Sequence, residues 1–223
     1  VLYQNDAVPT TSGFTGAGAV VIEPASANYA SSVSTNYSFA STISSVRLGK
    51  VGNSAGLMLG QAINVAGPIS LYGGNIFVNG GLTSSASSNI LVQGSAGVAV
   101  MGNVQTGGQF TGLAGGGSNF VMGLDLASGA GYTLRADGGV SLTAGTTYLA
   151  GDVVTQNTGI SITGHLQSAN FDSTPAVNAV LMNSNGGHVT ISGNLTAFSG
   201  NVADYALLMA NQAKTNMGSN VTV

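Results

Sequence analysis

The sequence predicts an all-β chain folded as a parallel β-helix, a β-solenoid with coils of about 21 residues. Three observations predict it. The first is a recurring phrase, an apolar/polar alternation followed by a Gly or Asn bend and a further apolar residue. It runs Asn75-Ile-Phe-Val-Asn-Gly-Gly-Leu82, Gly97-Val-Ala-Val-Met-Gly-Asn-Val104, Gly159-Ile-Ser-Ile-Thr-Gly-His-Leu166 and His188-Val-Thr-Ile-Ser-Gly-Asn-Leu195, with a weaker copy at Gly139-Val-Ser-Leu-Thr-Ala-Gly145. The copies start at Asn75, Gly97, Gly139, Gly159 and His188, so every interval but the last is close to one or two multiples of a single period. A recurring period of roughly 20–50 residues marks a stacked architecture, because one unit is too short to cover its own apolar face. The second observation is the scarcity of helix patterning. The third is the wealth of Gly, Asn, Ser and Thr between short apolar alternations, the signature of many short strands joined by tight bends.

The elements follow in order. Residues 1–44 are rich in Ser, Thr and Ala and carry Phe14, Tyr29, Tyr37 and Phe39. They are expected to form opening coils or a cap, since solenoid ends need cover. The rod is expected over residues 45–223, with short strands at Val46–Leu48, Gly56–Gly60, Ile63–Val65, Ile69–Leu71, Asn119–Met122 and Tyr132–Leu134. Ser88–Gly94, Asn178–Ser184 and Tyr205–Asn211 read as a second kind of strand preceding the main phrase. The last overlaps the best helix candidate, Ala203–Lys214, and is assigned to the strand class with its relatives. About ten coils fit the chain, a rod of roughly 50 Å at ~4.8 Å per coil. Ile76, Val78, Val98, Val100, Ile160, Ile162, Val189 and Ile191 are expected to stack inward, with Phe77, Ala99, Ser161 and Thr190 outward. Corners need φ > 0, which Gly supplies and Asn tolerates. Asn103, His165 and Asn194 hold one place in the phrase, where stacked Asn can form a ladder. The last, irregular interval contains Pro175, which cannot donate to a ladder, so a loop is expected at 169–177.

Composition narrows the function. Charged residues make up 5 % of the chain, against about a quarter in ordinary domains. None lies between Lys50 and Asp125. Four Lys+Arg against seven Asp+Glu argue against nucleic-acid binding, which rests on basic side chains at phosphates. No apolar run approaches the ~18 residues of a membrane helix. With no Trp and 6 % aromatics, the aromatic girdles of a membrane barrel are missing too. Without Cys there is no disulfide and no thiolate chemistry. No charged-then-apolar leader precedes the first strand, so the chain reads as mature, trimmed or excised from something longer.

The stretch Ala66-Gly-Pro-Ile-Ser-Leu-Tyr-Gly-Gly-Asn-Ile-Phe-Val-Asn-Gly-Gly-Leu-Thr-Ser84 resembles the filamentous-haemagglutinin-like large bacterial exoproteins. The same texture extends from Val20–Glu23 through Val46–Lys50 to Gly187–Gly193. The resemblance implies a right-handed winding, export through an outer membrane and an attachment role. It brings no catalytic residues. The Asn-Pro-Asn motifs of that family's secretion domain are missing, so an interior or C-terminal stretch is implied.

The remaining residues offer few candidates for site chemistry. Arg135 and Asp137 fall on one face, where they read as a surface ion pair rather than as acid/base machinery; Asp125 and Asp152 are isolated from them. His165 and His188 occupy different places in the phrase, and zinc needs three or four ligands. Asp152, Asp172 and Asp204 do not form the calcium nonapeptide of β-rolls. Gly107-Gly108 and Gly115-Gly-Gly117 lack the Lys and helix of a phosphate loop. The sequon-like triplets at Asn36, Asn194 and Asn220 read as chance in so Asn/Ser/Thr-rich a chain. Tyr72, Phe77, Phe110, Phe120, Tyr148, Phe171, Phe198 and Tyr205 can either line a binding stripe or fill the core. No catalytic, cofactor-binding or metal-binding residue is therefore assigned. The expectation is a non-enzymatic segment of an extracellular or cell-surface bacterial adhesin, meeting a host or neighbouring cell through protein or glycan. The alternatives are a filament subunit assembling head to tail with its own copies and, ranked lower, a β-helical carbohydrate-active enzyme.

Overall fold

The computed structural model describes residues 1–10, 12–85, 87–123, 131–168, 180–196, 207–210, 214–217 and 221–222. Every strand pair among them is parallel, and the strands stack as a β-solenoid of about seven turns with coils of about 22 residues. One inward column shows how the turns are spaced. Val20, Val46, Ile69, Ile90, Phe110, Val140, Ile160 and Val189 lie in register from coil to coil. The steps are uneven: the one from Phe110 to Val140 is half as long again as the one from Ile90 to Phe110. Ten strands, from Leu2–Gln4 to Lys214–Met217, stack along the sheet that carries this column, and seven along the other long sheet, so about seven turns are complete. A solenoid requires each coil to return to register; it does not require every corner to have the same length.

Each coil has three faces. On the first, Leu2–Gln4, Ala19–Glu23 and Ser45–Leu48 are followed by the opening halves of Ile69–Val78 and Ile90–Val100, and then by Phe110–Ala114. The opening halves of Val140–Leu149 and Ile160–Ser168, then His188–Ser192 and Lys214–Met217, complete it. The second face holds Val33–Thr35, Leu57–Leu59 and Asn119–Met122 together with the closing halves of those long strands, then Leu195–Thr196 and Val221–Thr222. The third face is a seven-stranded sheet from Ile63–Val65 to Leu207–Ala210. Long strands cross from the first face to the second through register shifts, between Gly94 and Gly97 and between Thr143 and Thr146.

Alternation fixes the core. The eight inward residues expected from the phrase are all buried. Fully burying such an aliphatic side chain contributes about 1.5–3 kcal/mol, so the inward columns are the main source of cohesion between coils. The copies of the phrase are nevertheless not one element. Ile76–Val78 and Val98–Val100 sit on the second face, whereas Val140–Leu142, Ile160–Ile162 and Val189–Ile191 sit on the first. The interval from Gly97 to Gly139 therefore joins two different faces and is not two coils. The second kind of strand divides likewise: Ile90–Gly94 belongs to the first face, Val180–Asn183 and Leu207–Ala210 to the third. Leu207–Ala210 is a strand, in line with the strand assignment over the helical one.

Corners combine glycine and amide side chains. Gly164 (φ +108°) stacks beside Gly193 (φ +149°) where the chain leaves the first face. Asn157 and Asn185 adopt positive φ at a different corner, before the first face. The expected Asn ladder takes another form: amides bond to backbone one coil away. Asn28 Oδ1 accepts from Ser54 N (2.6 Å), Asn89 Oδ1 from Gln109 N (2.9 Å) and Asn103 Oδ1 from Thr133 N (2.9 Å). Asn103 is also out of line with the other two residues, for it precedes the third face, while His165 and Asn194 are neighbours preceding the second.

Residues 1–44 stack onto the rod through Ala19–Glu23 on Ser45–Leu48. Phe14 stacks on Phe39 with centroids 5.3 Å apart, and Tyr37 meets Phe14 edge-on at 5.5 Å. The loop expected at 169–177 lies outside the described residues.

Candidate interaction surface

The outward positions of the three faces differ in chemistry. The first face presents two columns. Arg47, Ser70, Leu91, Thr111, Ser141, Ser161 and Thr190 form one; Tyr72, Gln93, Leu113, Thr143, Thr163 and Ser192 form the other. From Ser141 to Ser192 these positions are hydroxyls throughout. The third face presents Asn64, Thr83, Gln105, Arg135, Val154 and Asn183. The second presents a single column of Ser34, Met58, Phe77, Ala99, Val121, Tyr148 and Gln167. Met58 is 51 % exposed; Phe77, Ala99, Val121 and Tyr148 are half-buried.

The sequence-derived candidates are scattered over this framework. Arg135 Nε bonds Asp137 Oδ1 at 3.1 Å, with both side chains well exposed, a pair worth about 0–1 kcal/mol. Asp152 lies one coil on, where its carbonyl accepts from Leu134 N; Asp125 lies outside the described residues. His165 opens the second-face half of its strand, beside Thr146, while His188 begins a first-face strand. Among the described residues no group of three or more His, Cys, Asp or Glu is placed to hold a metal ion, and no helix is long and apolar enough to cross a membrane. A second ion pair, Arg47 Nη2 to Glu23 Oε2 at 2.6 Å, ties two opening coils, and Gln4 joins it through Glu23 Oε1.

The aromatic side chains divide between core and surface. Phe110 and Phe120 are fully buried and meet edge-on with centroids 6.1 Å apart. They fill the coil, and neither belongs to a binding stripe. Tyr72, Phe77 and Tyr148 do reach the outside, on the first and second faces. Phe171, Phe198 and Tyr205 lie outside the described residues. Near the start of the chain a cleft of about 430 Å³ opens between Tyr3, Val8, Pro9 and Phe14.

Two features escaped sequence reasoning. One is a file of buried hydroxyls at the end of the third face. Ser84, Thr106, Thr155 and Ser184 all turn inward. Thr106 bonds the carbonyl of Ser88 and accepts from Gly108 N (3.1 Å). Thr155 donates to Thr158 O (2.7 Å), and Ser184 to Gly187 O (2.8 Å). These three hydroxyls each close the turn that leads into the next coil. The signal was present: a hydroxyl residue two places after an inward apolar residue, in Leu82–Ser84, Val104–Thr106, Val153–Thr155 and Met182–Ser184. The other feature is the apolar column of the second face. It could be found only once the copies of the phrase had been divided between faces. No protein-family model matches the chain, and no curated protein and no solved structure matches it.

Proposed function

We propose that this chain is a non-enzymatic structural segment of an extracellular or cell-surface bacterial exoprotein of the adhesin type, right-handed in winding like the filamentous-haemagglutinin-like proteins its repeats resemble. The observation that carries this reading is the uncharged middle stretch of the solenoid, several consecutive coils with all their faces. Among the described residues from Val51 to Gly123 there is no Asp, Glu, Lys, Arg or His, yet several coils project ordered outward columns there. Such a surface contributes through shape and hydrogen bonding, with little role for long-range attraction. Contacts of that kind are insensitive to ionic strength, because salt screens only charges. A partner surface on a host or neighbouring cell, protein or glycan, fits it.

The test is attachment of the purified chain to cells and to glycan and protein arrays at low and high salt. Saturable attachment that persists at high salt supports the reading. Release of reducing sugar from polysaccharides would favour a carbohydrate-active enzyme instead, and attachment abolished by modest salt would remove the neutral-surface mechanism.

A further inference from the structure

We infer that the second face of the solenoid is a self-association surface on which two copies of this chain pair antiparallel. In register order the outward column reads Ser34, Met58, Phe77, Ala99, Val121, Tyr148 and Gln167, and its first six members form the pairing surface. Its members from Met58 to Tyr148 are apolar or aromatic, whereas the neighbouring faces carry mostly hydroxyls and amides at outward positions. No Asp, Glu, Lys or Arg stands on either rim: Asn75, Asn119, Thr146 and, beside Gln167, His165 flank one side, Asn79 and Met101 the other. A partner seated here needs no charged group, and burying an unpaired charge against the column would be costly. A second copy meets that requirement.

The order of sizes selects the copy and its direction. Reversed against itself about a two-fold axis between the coils of Phe77 and Ala99, the column sets Phe77 over Ala99 of the second copy. Met58 then faces Val121 and Tyr148 faces Ser34. Each large side chain meets a smaller one, and every contact occurs twice, as an isologous interface demands. Parallel pairing in register would set Phe77 on Phe77 and leave Ala99 facing Ala99 across a gap. Sheets packed face to face in this way lie about 10 Å apart with their strands roughly aligned.

Area sets the strength. Six coils at ~4.8 Å place their outermost strands roughly 24 Å apart, and the column is one residue wide. Such a strip falls well short of the ~800 Å² per partner of a lasting dimer. The pairing is therefore weak and reversible, and it gains strength where several copies are held side by side.

The natural absence of Cys makes disulfide trapping a clean test. The variants Phe77→Cys and Ala99→Cys, each checked for native far-UV circular dichroism, are mixed under mild oxidation. The mixture is expected to cross-link at least tenfold faster than Ala99→Cys alone. Met58→Cys mixed with Val121→Cys should behave alike, and Thr143→Cys on the first face should stay at background. In sedimentation equilibrium of the otherwise unaltered chain, Phe77→Asp should weaken self-association at least tenfold. Cross-linking without positional preference, faster Ala99–Ala99 than Phe77–Ala99 trapping, or a monomer at millimolar concentration would each overturn the pairing and assign the column to a different occupant.

Discussion

Thr147 is an inward residue whose polar atom has no partner. It stands in the second-face column between Phe120 and Leu166, fully buried, and its Oγ1 makes no hydrogen bond. An orphaned buried hydroxyl costs about 1–3 kcal/mol. Thr147→Val, which keeps the shape, is expected to stabilise the chain by about 1 kcal/mol. Thr106→Val makes the same chemical change where the hydroxyl is bonded twice, and it should destabilise by about 1–3 kcal/mol. Urea denaturation of both variants gives the comparison; equal signs would contradict the hydrogen-bond assignments. Tyr29 adds a pH dependence. Its hydroxyl donates to Ile22 O at 2.7 Å, and burial pushes its phenol well above the ordinary value; burial raises Tyr37 in the same direction. The folded phenols hold their protons at pH values where unfolded tyrosine, with a pKa of about 10, has lost its own. Their contribution is fully present below about pH 10 and is lost as pH rises beyond it. Tyr29→Phe should cost about 1 kcal/mol at neutral pH and flatten the alkaline loss. An alkaline loss as steep in the variant as in the parent chain would remove Tyr29 from the account.

At the scale of the element, corners decide what the chain tolerates. Gly164 combines φ +108° with a backbone so close to Ala144 that a Cβ would overlap the Ala144 carbonyl oxygen. Gly164→Ala should cost more than the ~1–3 kcal/mol of a strained backbone position alone. Gly18 has no atom within 4 Å of an added Cβ and no φ in the left-handed range, so Gly18→Ala should be neutral or gain up to ~1 kcal/mol by limiting the unfolded chain. Thermal melts of the pair test this, and similar losses would show that crowding at the corner is not the cause. The same corners explain how far the sequence was legible. Alternation is local, so Ile160-Ser-Ile162 declares which side chains turn inward without any knowledge of its neighbours. The face a strand occupies is not local. It depends on how many residues each corner consumes, and Val98–Val100 and Val140–Leu142 look alike in text while lying on different faces. For that reason the strands and inward residues could be read directly, but the apolar column could not. The hydroxyl file is hidden in the sequence for a different reason: Ser and Thr in so polar a chain look like surface, and only the return of the chain on itself turns them inside.

For the whole molecule, the solenoid is close to one-dimensional, each coil touching its neighbours, so stability is a sum of coil and interface terms. A coil should then be removable without loss of fold, provided the cut preserves register. Ile69 stacks on Ile90, its counterpart one coil later, and Leu71, Ile76 and Val78 stack on Val92, Val98 and Val100. Val46 N donates to Pro68 O, and Ile69 N donates to Asn89 O in the same manner one coil on. Deleting residues 69–89 joins Pro68 to Ile90, which places Ile90 over Val46, Val92 over Leu48 and Val98 over Leu57. Every inward position keeps an apolar neighbour. The shortened chain is expected to retain its β circular dichroism and to unfold with a urea m-value lower by about a tenth, since m scales with the surface exposed on unfolding. Deleting only the strand, residues 69–78, moves Asn79 and its corner against Val46 and carries Leu82 to the outward place of Tyr72, because inward positions are odd-numbered on the first face (Ile69, Leu71) and even-numbered after it (Ile76, Leu82), so this cut exchanges the faces. That variant should lose its cooperative transition. If the full-coil deletion collapsed and the half-coil deletion survived, coil register would not be the organising constraint of the molecule, and neither the uncharged surface nor the apolar column could be treated as a property of stacked coils.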